Sequence, residues 1–330
     1  MFRKACRATV VLFTIGTFMG GGLAAQRPYR PPTPLGLDEY YPVPETNPLT
    51  RDKIELGRRL FFDPLLSANG TVACASCHQP ELAFADTVAF SAGVAGRRAV
   101  RNTPSLLNRA YGKAMFFDAR ARTLEEAVLQ PIQNPNEMDL TLDELVSRLR
   151  HRERYAEQFA RVFADGVVAQ NIARALASYV RTLRSGGAPI DRFLHGNRTA
   201  LSSAAQVGMR LFNGRANCVA CHVGPTFSDE KLHNTGVSWG AGDVGRYAVT
   251  SDDSDRGGFK TPSLRNVALT APYMHDGSVT TLQEVIGHYV RGGTANPLLD
   301  PEIKPLTLTG EEKRNLIAFL RSLTGSIPVR

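Results

Sequence analysis

Cys74-Ala75-Ser76-Cys77-His78 and Cys218-Val219-Ala220-Cys221-His222 repeat one pattern: two cysteines three apart, with a histidine directly after the second. Cysteines at this spacing lie on one helical turn, where both can form thioethers to the vinyl groups of one haem, and the adjacent histidine reaches the iron as proximal ligand. Two covalently bound haem c groups are therefore expected, one on Cys74, Cys77 and His78 and one on Cys218, Cys221 and His222. Two disulfides or a zinc site would require no histidine at that place. The one other cysteine is Cys6, so none remains for a structural disulfide.

Working outward, Ile54, Gly57, Leu60 and Phe61 recur at helical spacing before the first motif, and Val207, Gly208, Leu211 and Phe212 do so before the second. Thr103-Pro104-Ser105-Leu106 returns as Thr261-Pro262-Ser263-Leu264, and Thr123-Leu124-Glu125-Glu126 as Thr281-Leu282-Gln283-Glu284, each 158 residues on. The haem motifs are only 144 apart, which places an insertion in the second copy within the Gly- and Asp-rich stretch from Gly236 to Gly258. Between the copies, Leu142, Leu145, Val146 and Leu149 form one helical stripe, and Ile172, Leu176, Tyr179, Val180 and Leu183 another. Thr309 and Glu312 read as a capping box for a last helix. Strand signals are sparse, and the expectation is a mainly α fold of two cytochrome c-like haem domains from an internal duplication, residues 49–187 and 188–330.

Residues 1–25 read as a secretory signal, with Arg3, Lys4 and Arg7 ahead of the apolar stretch from Ala8 to Met19 and small residues at Gly22 and Ala24. An uncleaved single-pass anchor is the alternative; that apolar stretch is short for a full span. Either way the folded part is exported, and a periplasmic location is expected. Residues 26–48 are a proline-rich leader that should stay extended. The composition, 43% hydrophobic and 21% charged over 330 residues, is that of a globular chain and excludes a small disulfide scaffold or a polytopic membrane protein. The net charge of +8 falls to +5 without the signal, and haem propionates would offset much of that, so no nucleic-acid partner follows from charge.

Over roughly residues 49–325 the chain resembles the bacterial dihaem cytochrome c peroxidases, in particular the MauG-like branch. The resemblance rests on the two haem sites, on Arg101-Asn102-Thr103-Pro104-Ser105 and Asn134-Pro135-Asn136-Glu137-Met138, and on Lys260 through Gly277 with its Ala271-Pro272-Tyr273-Met274-His275-Asp276-Gly277. It implies that the N-terminal haem reacts with peroxide while the C-terminal haem is six-coordinate and relays or stores oxidising equivalents. Tyr289 lies at the position of the distal ligand of the second haem, with Met274 and a nearby histidine such as His288 as alternatives. A tyrosinate is hard and anionic and favours ferric iron. The counterpart of Tyr289 in the first copy is Pro131, and the position from which many members close the peroxidatic haem is Val94. Neither side chain has a donor, so the first iron is expected to be open at rest.

The resemblance further implies Glu137 as the distal acid-base residue, a carboxyl that moves a proton between the two peroxide oxygens. Taken alone, the Asn-Pro-x-Glu segment would be read as a helix start. Two departures stand out: Ala127 where glutamine is frequent, and Phe117 where a tryptophan often lies between the haems. A calcium ion is implied at Asn102, Thr270 and Pro272, through oxygen ligands suited to a hard cation. His151, His195 and His233 are read as surface or structural histidines, and Trp239 as an electron port or a packing residue.

The expected function is thus a periplasmic peroxidase that reduces hydrogen peroxide with electrons from a small cytochrome c or a cupredoxin. The rivals are a MauG-like oxidase that modifies a protein or small molecule through high-valent haem, and a dihaem electron carrier. The carrier would need two six-coordinate irons. The sequence does not set the oligomeric state and leaves room for a homodimer.

Overall fold

The computed structural model describes residues 27–237, 239–240 and 242–328. The expected signal segment lies outside the described residues. Helix α1 (Arg51–Phe62) begins at Thr50, whose hydroxyl accepts the Lys53 N–H as an N-cap. The first haem motif forms the single turn α2 (Cys74–Cys77), and two further short turns, α3 (Leu124–Ala127) and α4 (Gln130–Gln133), follow each other almost without a break. The two stripes after residue 141 become α5 (Leu142–Arg150) and α7 (Ala169–Val180), with α6 (Glu153–Val162) between them. The second half carries α8 (Pro189–Leu194), α9 (Ser203–Asn213), α10 (Tyr247–Thr250), α11 (Leu282–Val290) and α12 (Gly310–Arg321). The capping box at the start of α12 is formed, with Glu312 N on Thr309 Oγ1 at 3.2 Å and Thr309 N on Glu312 Oε2 at 2.8 Å. Among the described residues the only strands are β1 (Leu232–His233) and β2 (Phe259–Lys260), an antiparallel pair of two residues each. The chain is helix-rich, as expected.

Among the described residues the two largest apolar cores form on separate parts of the chain. Leu60, Phe61, Leu145, Phe159, Ile172 and Leu176 build the first, and Phe212, Ile286, Leu316, Phe319 and Leu320 the second. Each such side chain contributes about 1.5–3 kcal/mol by leaving water. Within each core two helices approach closely at a glycine. A Cβ at Gly57 of α1 would overlap the Ala175 carbonyl of α7 and crowd Tyr179, and one at Gly208 of α9 would overlap the Asn315 carbonyl of α12 and crowd Phe319. The 158-residue spacing also recurs in backbone detail. Asn108 and Asn266 have φ of 62° and 58°, Phe116 and Met274 have φ of 67° and 73°, and the bridges Met115–Ala121 and Tyr273–Val279 match. Left-handed backbone is costly for Phe and Met, so each turn must be held by its surroundings.

The proline-rich leader has no helix from residue 27 to residue 50, but it is tied down along its length. Tyr41 and Leu49 are buried. Arg184 Nη2 donates to the Pro31 and Pro32 carbonyls, Gly187 N to Leu35 O, and Arg265 Nη2 to Gly36 O at 2.7 Å. Its donors therefore come from both halves of the chain, and the leader straps them together.

Candidate functional site

Both haem motifs, Glu137 and Tyr289 line one cavity of about 900 Å³. In the first motif Ser76 Oγ accepts from Ala73 N at 3.0 Å, which fixes the turn on which Cys74 and Cys77 sit. His78 follows as its cap, and its Nδ1–H donates to the Phe84 carbonyl at 3.0 Å, which a left-handed Phe84 (φ 57°) turns toward the ring. That bond sets the tautomer and leaves Nε2 as the free donor nitrogen. His222 repeats the arrangement, with Nδ1–H on the Phe227 carbonyl at 2.9 Å and Phe227 at φ 53°. Burial lowers the pKa of both imidazoles and favours the neutral, ligating form.

Among the described residues none of the four motif cysteines forms a disulfide, and burial first of all pushes three of the thiols up, Cys74 to about 12, Cys77 to about 11 and Cys218 to about 12. Such surroundings suit an uncharged thioether. Paired cysteines, oriented imidazoles and a large shared cavity fit covalently held haem at both motifs.

Glu137 reaches this cavity from the turn after α4, where Glu137 N donates to Asn134 O at 3.0 Å, so the segment closes a turn instead of starting a helix. Asn134 Nδ2 donates to Glu137 Oε1 at 2.6 Å, and Val94 N to the Glu137 carbonyl at 2.8 Å. A Cβ at Gly93 would overlap the Asn136 and Glu137 carbonyls, so the two loops can approach only through a glycine. Burial raises the carboxyl pKa of Glu137, against the opposing pull of Asn134 and of the Arg120 charge. Val94 is buried in the first core, and Pro131 lines the cavity. Met115 and Met138 also line it; Met115 Sδ accepts from Arg109 Nη2 at 3.8 Å, and Met138 packs in the first core.

Around the second motif, Tyr289 of α11 lines the cavity with Cys218, Cys221 and His222. Burial, followed by the charges of Cys218 and Cys221, pushes its phenol up to about 12. Met274 lines the same space, whereas His288 is turned away and donates Nε2–H to the Thr235 carbonyl at 2.9 Å. His233 lies between two carboxylates, Nδ1 on Asp300 Oδ2 at 2.6 Å and Nε2 on Asp229 Oδ2 at 3.0 Å, which occupies both ring nitrogens. Contact with the Cys221 sulfur, and then with Asp300 and Asp229, raises its pKa to about 10 against the cost of burial. The two carboxylates outlast thioether formation.

A histidine pKa raised on folding adds stability that is complete below the unfolded value of 6.5 and is lost as pH rises through the raised value, which in the holoprotein is set by the two carboxylates without the Cys221 thiol. His233→Gln should therefore lower the melting temperature of the holoprotein by a few degrees at pH 6 and by less at pH 10. An equal loss at both values would show that the imidazolium does not hold these carboxylates.

The halves meet through charges. Arg101 binds Asp243 through Nε at 2.6 Å and Nη2 at 2.8 Å, and Asp118 through Nη1 at 2.6 Å; Arg246 donates to the Asp118 and Ala119 carbonyls. Asp243 and Arg246 belong to the inserted stretch, which thus reaches over the first half. Arg109 binds Glu230 at 2.8 and 2.9 Å, with Lys260 Nζ at 3.5 Å, and the Phe117 carbonyl accepts Lys260 N at 2.6 Å. His275 is buried, with its ring stacked on Phe259 and its Nε2 4.0 Å from Asp243 Oδ2, without a hydrogen-bond partner among the described residues. Asn102 donates its backbone N–H to the His275 carbonyl and its amide to the Val88 and Ala89 carbonyls; Thr270 and Pro272 line the cavity beside it. Lys260 and His275 join the cavity from the motif that runs from Lys260 through Gly277, whereas Arg120 and Gln130 join it without any spacing signal in the sequence to single them out.

Residues 51–199 match the family described as di-haem cytochrome c peroxidase. The chain is 42% identical to the methylamine utilization protein MauG of Methylorubrum extorquens, covering 86% of this chain and 82% of that one. It is 32% identical to the cytochrome c551 peroxidase of Nitrosomonas europaea, covering 99% and 94%. A solved MauG-like protein associated with microbial copper homeostasis superposes with a TM-score of 0.82 at 36% identity, covering 88% of this chain and 95% of that one.

Proposed function

This chain belongs to the di-haem cytochrome c peroxidase family, and from that premise we propose that it reduces hydrogen peroxide at the motif of His78, with the motif of His222 relaying or storing the oxidising equivalents. It is a haem oxidoreductase, with haem c as cofactor. Peroxide reduction consumes two electrons and two protons and releases two waters. The bound haem supplies an iron coordination site for peroxide and the route for electrons. Glu137 takes a proton from the near oxygen of peroxide and delivers it to the far one, which leaves as water. Asn134 holds the carboxylate oxygen, the Val94 bond fixes the loop, and burial raises the pKa so that the carboxyl can carry the proton.

The observation that carries this reading is the meeting of Glu137 and His78 in one cavity, with no donor atom to close the iron on Pro131, which lines it, or on Val94, which is buried in the first core. Tyr289 would supply the sixth ligand to the iron at the second motif. An internal duplication accounts for the matched glycine crossings and left-handed turns, with domains at residues 49–187 and 188–330 after a leader at 26–48. A calcium ion on Asn102 Oδ1 and the Thr270 and Pro272 carbonyls would rest on neutral oxygens; among the described residues no group of three His, Cys, Asp or Glu is set to hold a metal. The electron donor is a small periplasmic cytochrome c or cupredoxin. No described helix is long and apolar enough to cross a membrane.

The test is to mix the diferric holoprotein, never reduced, with one equivalent of peroxide. Prompt consumption supports the reading, and consumption only after prior reduction contradicts it. The likeness to two proteins named for MauG favours a second reading, in which the oxidising equivalents modify a partner protein or small molecule. A mass shift in a co-incubated candidate after peroxide addition would distinguish it.

A further inference from the structure

Helices α3 and α4 bring positions 127 and 130 one turn apart on one face, and both side chains line the cavity. Ala127 offers only a methyl group. Gln130 carries a carboxamide whose Oε1 accepts from Arg120 Nε at 2.8 Å. Arg120 is itself fixed from two sides: its guanidinium lies 3.5 Å over the Phe116 ring, and its Nη1 binds both oxygens of Asp118, at 3.1 and 3.0 Å. Asp118 is in turn held by Arg101. The bond from Arg120 turns the carboxamide oxygen toward the guanidinium, and the N–H groups on its other side have no protein partner among the described residues, so they are free to donate. Asn134, one turn further on, shows the same logic completed, since its Oδ1 accepts from Asn136 N at 3.0 Å and its Nδ2 donates to Glu137.

We propose that Gln130 is a positioning residue of the first haem pocket: its carboxamide, aimed by Arg120, donates a hydrogen bond to the peroxide or anion held opposite His78, in place of the group that Ala127 lacks. The proposal rests on the reading of the first iron as open. Gln130 then orders the far oxygen of peroxide toward Glu137, and Arg120 acts through it.

The test is a fluoride titration of the diferric holoprotein followed by absorption, which reports distal hydrogen-bond donors without any turnover. Gln130→Ala should weaken fluoride binding roughly tenfold, the effect of one hydrogen bond to an anion. The double variant Ala127→Gln with Gln130→Ala, which moves the carboxamide back one turn, should recover most of that affinity. An unchanged low-spin signal from the second haem checks that each variant is assembled. Equal affinities in wild type and Gln130→Ala overturn the proposal, as does a loss that the double variant fails to recover. A wild type that binds no fluoride overturns the open first iron itself, and the proposal falls with it.

Discussion

Replacing Glu137 by glutamine should slow the reaction of the diferric protein with peroxide by about 10²-fold or more. Glutamine keeps an oxygen for Asn134 Nδ2 and leaves the Val94 bond, which is to the backbone, untouched, so the loop keeps its place. What it loses is the ability to accept a proton. The wild-type pH profile should also carry an ionisation above the ordinary carboxylate value of about 4.3, because burial raises this carboxyl. The rate should fall as pH drops through that ionisation, where the protonated carboxyl can no longer take the proton from peroxide. Glu137→Gln should show no such step. Stopped-flow mixing across pH measures both, and unchanged kinetics in the variant would remove Glu137 from the mechanism.

Replacing Tyr289 by phenylalanine should abolish the low-spin signal of the second haem and raise its reduction potential by on the order of 10² mV. The phenol is pushed up to about 12 by its surroundings, so only a strong positive charge such as ferric iron would make it a tyrosinate at neutral pH. Phenylalanine fills the same space without the oxygen. Met274→Leu should leave the spectrum unchanged, although that side chain lines the same cavity. The opposite pattern, with Tyr289→Phe silent and Met274→Leu altered, would assign the ligand to the thioether. Fluoride binding at the first haem should survive Tyr289→Phe.

Much of this architecture is legible because local chemistry forces it. The two Cys-x-x-Cys-His runs, the helical stripes after residue 141 and the capping box at Thr309 each rest on neighbours in sequence, and the structure has the corresponding turns and helices. What composition missed is long-range pairing. The leader reads as an extended arm or a tether because its prolines exclude a helix, but its sequence does not show what holds it, which is Arg184 and Arg265 binding its carbonyls from far along the chain. His233 reads as an ordinary structural histidine, but its grip depends on Asp300, 67 residues away. His195 and His151 do follow the plainer reading, each bonded to a carbonyl four residues earlier. Trp239 packs beside Gly257. In the candidate site the carboxyl, the proximal imidazoles and the tyrosine stand out from their motifs, whereas Gln130 becomes visible only once Arg120 is seen beside it.

An open first iron beside a six-coordinate second one has a direct signature in the electron paramagnetic resonance of the resting diferric protein. The spectrum should show one high-spin and one low-spin haem. Two low-spin haems would contradict it, because some side chain other than Val94 or Pro131 would then close the iron at His78.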